Sequence, residues 1–170
     1  PYTTLFRSIR TNASSQVDYK FGSSASGGGA ISFGVWNAYN QTLIRTTGYD
    51  STASWTYAGG AVRNSNNSAA NKASFIKGLG GSAPQFEFRQ RIQSPSAGYA
   101  FIFIYLNGAA TPAARSGTLG GVDGYGCAVY NNDPGVGWHT LQCAENCSAT
   151  SNYIAGGTGA DMQFSLTYLG

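Results

Sequence analysis

The chain has 170 residues and a formal net charge of +3, from ten Lys and Arg against seven Asp and Glu, with a single histidine. Charged residues make up 10% and hydrophobic residues 42%, including nine Phe, eleven Tyr and three Trp, which is too apolar for a disordered chain. The basic residues are scattered rather than gathered into a phosphate-neutralising stripe, and the longest apolar run, Tyr99–Leu106, falls far short of the roughly 20 residues a membrane-crossing helix needs. A single domain with no nucleic-acid partner is expected.

Residues 1–8 resemble the translation of a sequencing adapter, so the domain is expected over 9–170. The Gly- and Ser-rich stretch at 23–29 predicts a loop. Ile31, Phe33 and Val35 alternate with smaller residues and predict a strand, followed by a turn at 37–40. Shorter strands are expected at 42–47, 54–57 and 73–76, although 68–76 also has room for one or two helical turns. Over 85–92 the pattern turns Phe86, Phe88 and Ile92 inward and Glu87, Arg89 and Arg91 outward. Arg89 and Arg91 then sit on one solvated strand face. Tyr99–Leu106 is apolar at every position, which predicts a central strand covered on both faces and ended by Asn107-Gly108. Strands at 126–130 and 138–143 follow, and Met162–Leu169 closes the chain with Met162, Phe164, Leu166 and Tyr168 on one face. Many short strands bounded by turn signals predict an all-β chain, a single-domain antiparallel β-sandwich with at most one or two short helices.

Catalytic groups are sparse. His139 is the one imidazole, and no nucleophile elbow, phosphate loop or metalloprotease helix is present. Gly27 to Gly29 lacks the Lys or helix start of a phosphate loop. Asp123 and Asp133 are close in sequence but bring none of the further oxygen ligands calcium demands. No enzyme activity, metal or cofactor is expected. Cys127, Cys143 and Cys147 are disulfide candidates, paired as Cys143 with Cys147 or Cys127 with Cys143, with buried free thiols as the alternative. A zinc set of these three with His139 requires the chain to turn between Cys143 and Cys147. Four N-glycosylation patterns start at Asn12, Asn40, Asn66 and Asn146, and with the low charge they point to a secreted, extracellular setting.

Three stretches resemble the actinoporin-like pore-forming toxins of the sea-anemone cytolysin type. The first is Ile31-Ser32-Phe33-Gly34-Val35-Trp36-Asn37 with Gln41-Thr42-Leu43, continuing to Thr47-Gly48-Tyr49-Asp50-Ser51. The second is Lys72-Ala73-Ser74-Phe75-Ile76-Lys77-Gly78, and the third is Gly137-Trp138-His139-Thr140 with the closing strand. Fungal fruit-body lectins share a similar Phe-Gly-Val-x-Asn strand. A looser likeness to L-type lectins and laminin-G-like sandwiches runs through residues 98–103 and the Trp138-His139 pair. The resemblance implies a secreted β-sandwich that binds membrane lipid headgroups through aromatic loops. Where the toxin family carries its Ser-, Pro- and aromatic-rich phosphocholine stretch, this chain has Tyr105-Leu106-Asn107-Gly108-Ala109-Ala110, so no lipid-site residue carries over.

Rings at strand ends and loops suit amphipathic ligands, because they offer an apolar face and a hydrated edge. Trp36, Tyr39, Tyr105, Tyr125, Tyr130 and Trp138 form the candidate ligand-binding set, with Tyr49 and Trp55 beside them. Three functions fit: a membrane-binding cytolysin-type domain, a carbohydrate-binding lectin-like module, or a self-associating (homo-oligomeric) subunit of an extracellular filament or capsid.

Overall fold

Period-two alternation decides which face of each strand is buried. The computed structural model describes residues 7–11, 15, 17, 19–20, 30–78, 82–94 and 98–170. The expected loop at 23–29 and residues 1–6 of the adapter-like stretch lie outside the described residues. In chain order the strands are β1 (Arg7–Ile9), β2 (Tyr19–Lys20), β3 (Ala30–Phe33), β4 (Val35–Asn37), β5 (Leu43–Gly48), β6 (Ser54–Tyr57), β7 (Arg63–Asn64), β8 (Lys72–Lys77), β9 (Gln85–Gln93), β10 (Tyr99–Leu106), β11 (Ala114–Leu119), β12 (Asp123–Tyr130), β13 (Gly137–Cys147), β14 (Ser151–Ile154) and β15 (Met162–Leu169). A 3-10 turn at Ser65–Asn67 is the one helical element among the described residues. The chain is an all-β sandwich.

The first sheet runs β11-β10-β13-β8-β3-β2, and β7 continues along β13 beyond the end of β8. In the second sheet, β12 lines one edge of β9 while β15 and then β14 line the other, with β5 and β6 outside them. All the described pairings are antiparallel except β3 with β8. The inward faces meet in one core: Phe75, Ile102, Ile104 and Leu141 from the first sheet, and Phe86, Phe88, Phe164 and Leu166 from the second, each 0% exposed. Phe75 and Tyr168 join the sheets with ring centroids 5.2 Å apart. Each such side chain contributes roughly 1.5–3 kcal/mol by leaving water. Along β15 buried and half-buried residues alternate without a break, as the sequence pattern predicts.

Three local expectations are corrected. The strand expected through Ile31, Phe33 and Val35 breaks at Gly34, whose carbonyl accepts from the Arg10 amide at 2.7 Å. Past that break the phase flips, so Trp36 is buried and Val35 is not. The stretch 68–76 holds no helical turn, because Lys72–Lys77 is drawn into the ladder with β13. Finally, β10 is bonded on both edges, yet only one of its faces, Ala100, Ile102, Ile104 and Leu106, turns to the core, and its other face looks outward.

β10 ends where Asn107 (φ 51°) and Gly108 (φ 70°) both take left-handed backbone, the geometry of a tight hairpin turn. Asn107 Oδ1 accepts from the Thr140 amide at 2.8 Å, and its Nδ2 donates to His139 Nδ1 at 3.1 Å. Asn107→Ala therefore strains the turn and removes two bonds. A loss of about 2 kcal/mol is expected in urea unfolding, with a smaller one for Asn107→Gly, which keeps the backbone permissive.

Candidate functional site

The outward side of β10 consists only of rings: Tyr99, Phe101, Phe103 and Tyr105. Successive ring centroids lie 4.9, 6.0 and 6.2 Å apart, with interplanar angles of 39°, 56° and 49°. The neighbouring strand leaves room for them, since a Cβ at Gly117 would fall 2.1 Å from the Phe101 ring. Tyr99 is 40% exposed, whereas Phe103 is nearly covered. The result is a half-open aromatic ladder on the outer face of the first sheet.

At its Tyr105 end the ladder meets a cleft of about 360 Å³. Tyr105, its cross-strand partner Gln142, and Ala144 form the sheet side. Residues 62–64 and 108–110 form the walls, with Gly108, Ala109 and Ala110 too small to close it. Gln142 is braced by donation from Nε2 to the Asn71 carbonyl at 2.8 Å.

The charge on the wall is spent inside the protein. Arg63 Nε donates to Glu145 Oε1 at 2.7 Å, its terminal nitrogen meets the same oxygen at 2.7 Å, and its guanidinium lies 3.9 Å over the Tyr57 ring. Glu145 is fully buried on the core side of β13 and accepts from Trp55 Nε1 at 2.8 Å. Trp55 in turn stacks on Tyr153 at 6.0 Å and 6°. Burial pushes the Glu145 pKa up, while the Trp55 and Arg63 donors pull it back. Among the described residues, no carboxylate, thiol or imidazole lines the cleft. What remains is a ring, amides and small apolar groups, an arrangement suited to holding a neutral ligand.

The other candidate rings do not converge on the cleft. Trp36 is 1% exposed and Tyr130 is 3% exposed, so both belong to the core rather than to a ligand surface. Tyr39 is exposed on the turn between β4 and β5. Trp138 is half-buried, with the Arg10 guanidinium carbon 3.7 Å over the centroid of its ring. Tyr49 packs beside Gly159, and Trp55 is occupied with Glu145 and Tyr153. Tyr125 is on the outer face of the second sheet, donating to Asp161 Oδ1 at 2.6 Å, and that bond raises its pKa. Beside it, Arg91 grips Asp123 at 2.9 and 2.6 Å and holds that carboxyl down to about 2.

The remaining chemistry-bearing residues have structural partners. Asp133 pairs with Lys77 at 3.3 Å, away from Asp123, so these two acids share no site. His139 is buried, with Nδ1 facing Asn107 and Nε2 3.0 Å from the Gly135 carbonyl. All three cysteines are free. Cys143 and Cys147 lie four residues apart on one continuous extended strand, about 13 Å, well beyond disulfide reach. Cys127 faces outward from β12 while Cys143 is buried, so neither expected disulfide forms. Tyr99, Phe101, Phe103 and Gln142 were missed as site residues. A signal was present, since every second residue from 99 to 105 is aromatic and the residues between are Ala or Ile.

No family model matches the chain, and no curated protein matches it. In fold it is similar to the structure of Eiger TNF from S. frugiperda, at 7% identity and TM-score 0.45, covering 76% of this chain and 93% of that one. It is also similar to the carbohydrate-binding module CBM36 in complex with calcium and xylotriose, at 12% identity and TM-score 0.36, covering 74% and 98%. A family 6 carbohydrate-binding module from Clostridium cellulolyticum in complex with xylose gives 13% identity and TM-score 0.27, covering 99% and 91%. Likeness at this level carries no argument about what the chain binds.

Proposed function

We propose that this chain is a carbohydrate-binding, lectin-like β-sandwich acting outside the cell, and that it takes a neutral glycan in the cleft at Tyr105. The observation that carries this is the pairing of the Tyr105 ring with a cleft whose cation, Arg63, is already neutralised by Glu145. A pyranose offers an apolar C–H face to a ring and hydroxyls to amides such as Gln142 and Asn64. Beyond the nearly covered Phe103 the ladder continues along β10 to the exposed Tyr99, about 20 Å from Tyr105, where a longer oligosaccharide would meet a second ring. Membrane anchoring is less well served, because the ladder rings line a sheet face on which Phe103 is nearly covered, while the exposed Tyr39 and Tyr125 stand on a turn and on the other sheet.

Calorimetric titration against a panel of uncharged oligosaccharides tests the proposal. Binding is expected, and Tyr105→Ala weakens it about tenfold, equivalent to ~1.4 kcal/mol for one lost ring face. Tyr125→Ala leaves it unchanged. A silent glycan panel together with sedimentation on phosphocholine and sphingomyelin vesicles would overturn the proposal in favour of lipid headgroups.

A further inference from the structure

Four sequence patterns could accept an N-linked glycan, and the fold treats them differently. The one at Asn12 lies outside the described residues. Asn66 sits in left-handed backbone (φ 54°), and its amide nitrogen donates to Asp50 Oδ2 and to Thr52 Oγ1, both at 3.0 Å. Since Asp50 is fully buried, a sugar on that nitrogen would pull a donor from a carboxylate that water cannot reach. Asn146 is 7% exposed and donates through Nδ2 to the Gly60 carbonyl at 2.6 Å, so a substituent there would have to displace packed surroundings.

Asn40 differs on each count. It is exposed in the turn at 38–40, the hydroxyl residue Thr42 is also exposed, and Gln41 rather than Pro lies between them. The turn is set by Asn37 Oδ1, which accepts from the Tyr39 amide at 3.1 Å. Flanking it, Tyr39 is 55% exposed and Leu43 65% exposed, apolar surface that a neighbouring glycan would cover.

We propose that Asn40 is the N-glycosylation acceptor of the folded domain. The donor class is a lipid-linked oligosaccharyl diphosphate. The Asn40 amide nitrogen bonds to the anomeric carbon, the bond from that carbon to the diphosphate oxygen breaks, and one amide proton passes to a base of the transferase. The lipid diphosphate leaves, and nothing is oxidised or reduced.

The test is translation of the full chain, in an Asn12→Gln background and behind a cleavable secretion signal, in the presence of microsomes. The protease-protected product is then treated with peptide N-glycosidase. One glycan is expected, absent in Asn40→Gln and in Thr42→Val and retained in Asn66→Gln and in Asn146→Gln. An unmodified product, or a glycan that survives Asn40→Gln, would overturn the assignment. Failure of sugar binding at Tyr105 would leave this result untouched, so the two proposals fail separately.

Discussion

Trp36→Ala is expected to lower the free energy of unfolding by about 3–5 kcal/mol, the range for emptying a large aromatic site in a packed core. Trp36 is 1% exposed, and the backbone of Gly78 lies so close that a Cβ there would come within 2.1 Å of the indole. Gly78→Ala should destabilise through the same contact from the other side, by forcing the ring or the strand to move. Trp36→Phe is expected to lose far less, since the indole N–H has no partner among the described residues. Urea unfolding followed by far-UV circular dichroism reads all three. Unchanged stability in Trp36→Ala, with glycan binding lost, would make Trp36 a ligand residue after all.

Arg63→Ala carries the second large effect. It leaves the Glu145 carboxylate fully buried with the Trp55 indole as its remaining side-chain donor, a situation that costs about 3 kcal/mol at neutral pH. The double variant Arg63→Ala/Glu145→Gln should recover most of that loss, because no charge is then stranded. The pH dependence has a definite sign. Glu145 titrates above its ordinary value in the folded protein, so the folded state holds its proton more tightly than the unfolded chain. Its contribution is fully present below the ordinary carboxylate range and is lost as pH rises through the raised value. Removing Arg63 raises that value further, so the deficit of Arg63→Ala should shrink as the solution is acidified. Asp123 acts in the opposite direction: Arg91 holds it at about 2, and its contribution is lost as pH falls toward that value. It is solvent-exposed, and screening keeps this effect small. Thermal unfolding of wild type and Arg63→Ala across the acid range separates the two, and a deficit that grows on acidification would refute the Glu145 assignment.

Strands with one wet face are legible in the sequence. Met162–Leu169 and the inward set of Phe86, Phe88 and Ile92 follow directly from alternation, because a strand with one solvated face must write its burial in period two. Tyr99–Leu106 forms the strand its sequence predicts, but among the described residues no second layer covers its outer face. An apolar run does not say whether a second layer exists, and here the outer rings cover one another instead. Trp36 was misplaced because the phase flip at Gly34 depends on β1 pairing with β4, a contact between distant residues that local pattern cannot report. The cleft was hardest to foresee. Tyr105 was among the candidate residues, but its companions Val62, Asn64, Ala109 and Gln142 come from separate elements and have no shared motif. The Arg63–Glu145 pair spans 82 positions and was equally invisible.

Backbone amide mapping by NMR, with a saturating neutral oligosaccharide, asks most directly where the molecule meets its ligand. Shifts confined to residues 62–64, 105–110 and 142–144, spreading along β10 as the oligosaccharide lengthens, are the predicted result. Shifts centred on Tyr39 or Tyr125, or a spectrum no glycan perturbs, would contradict it.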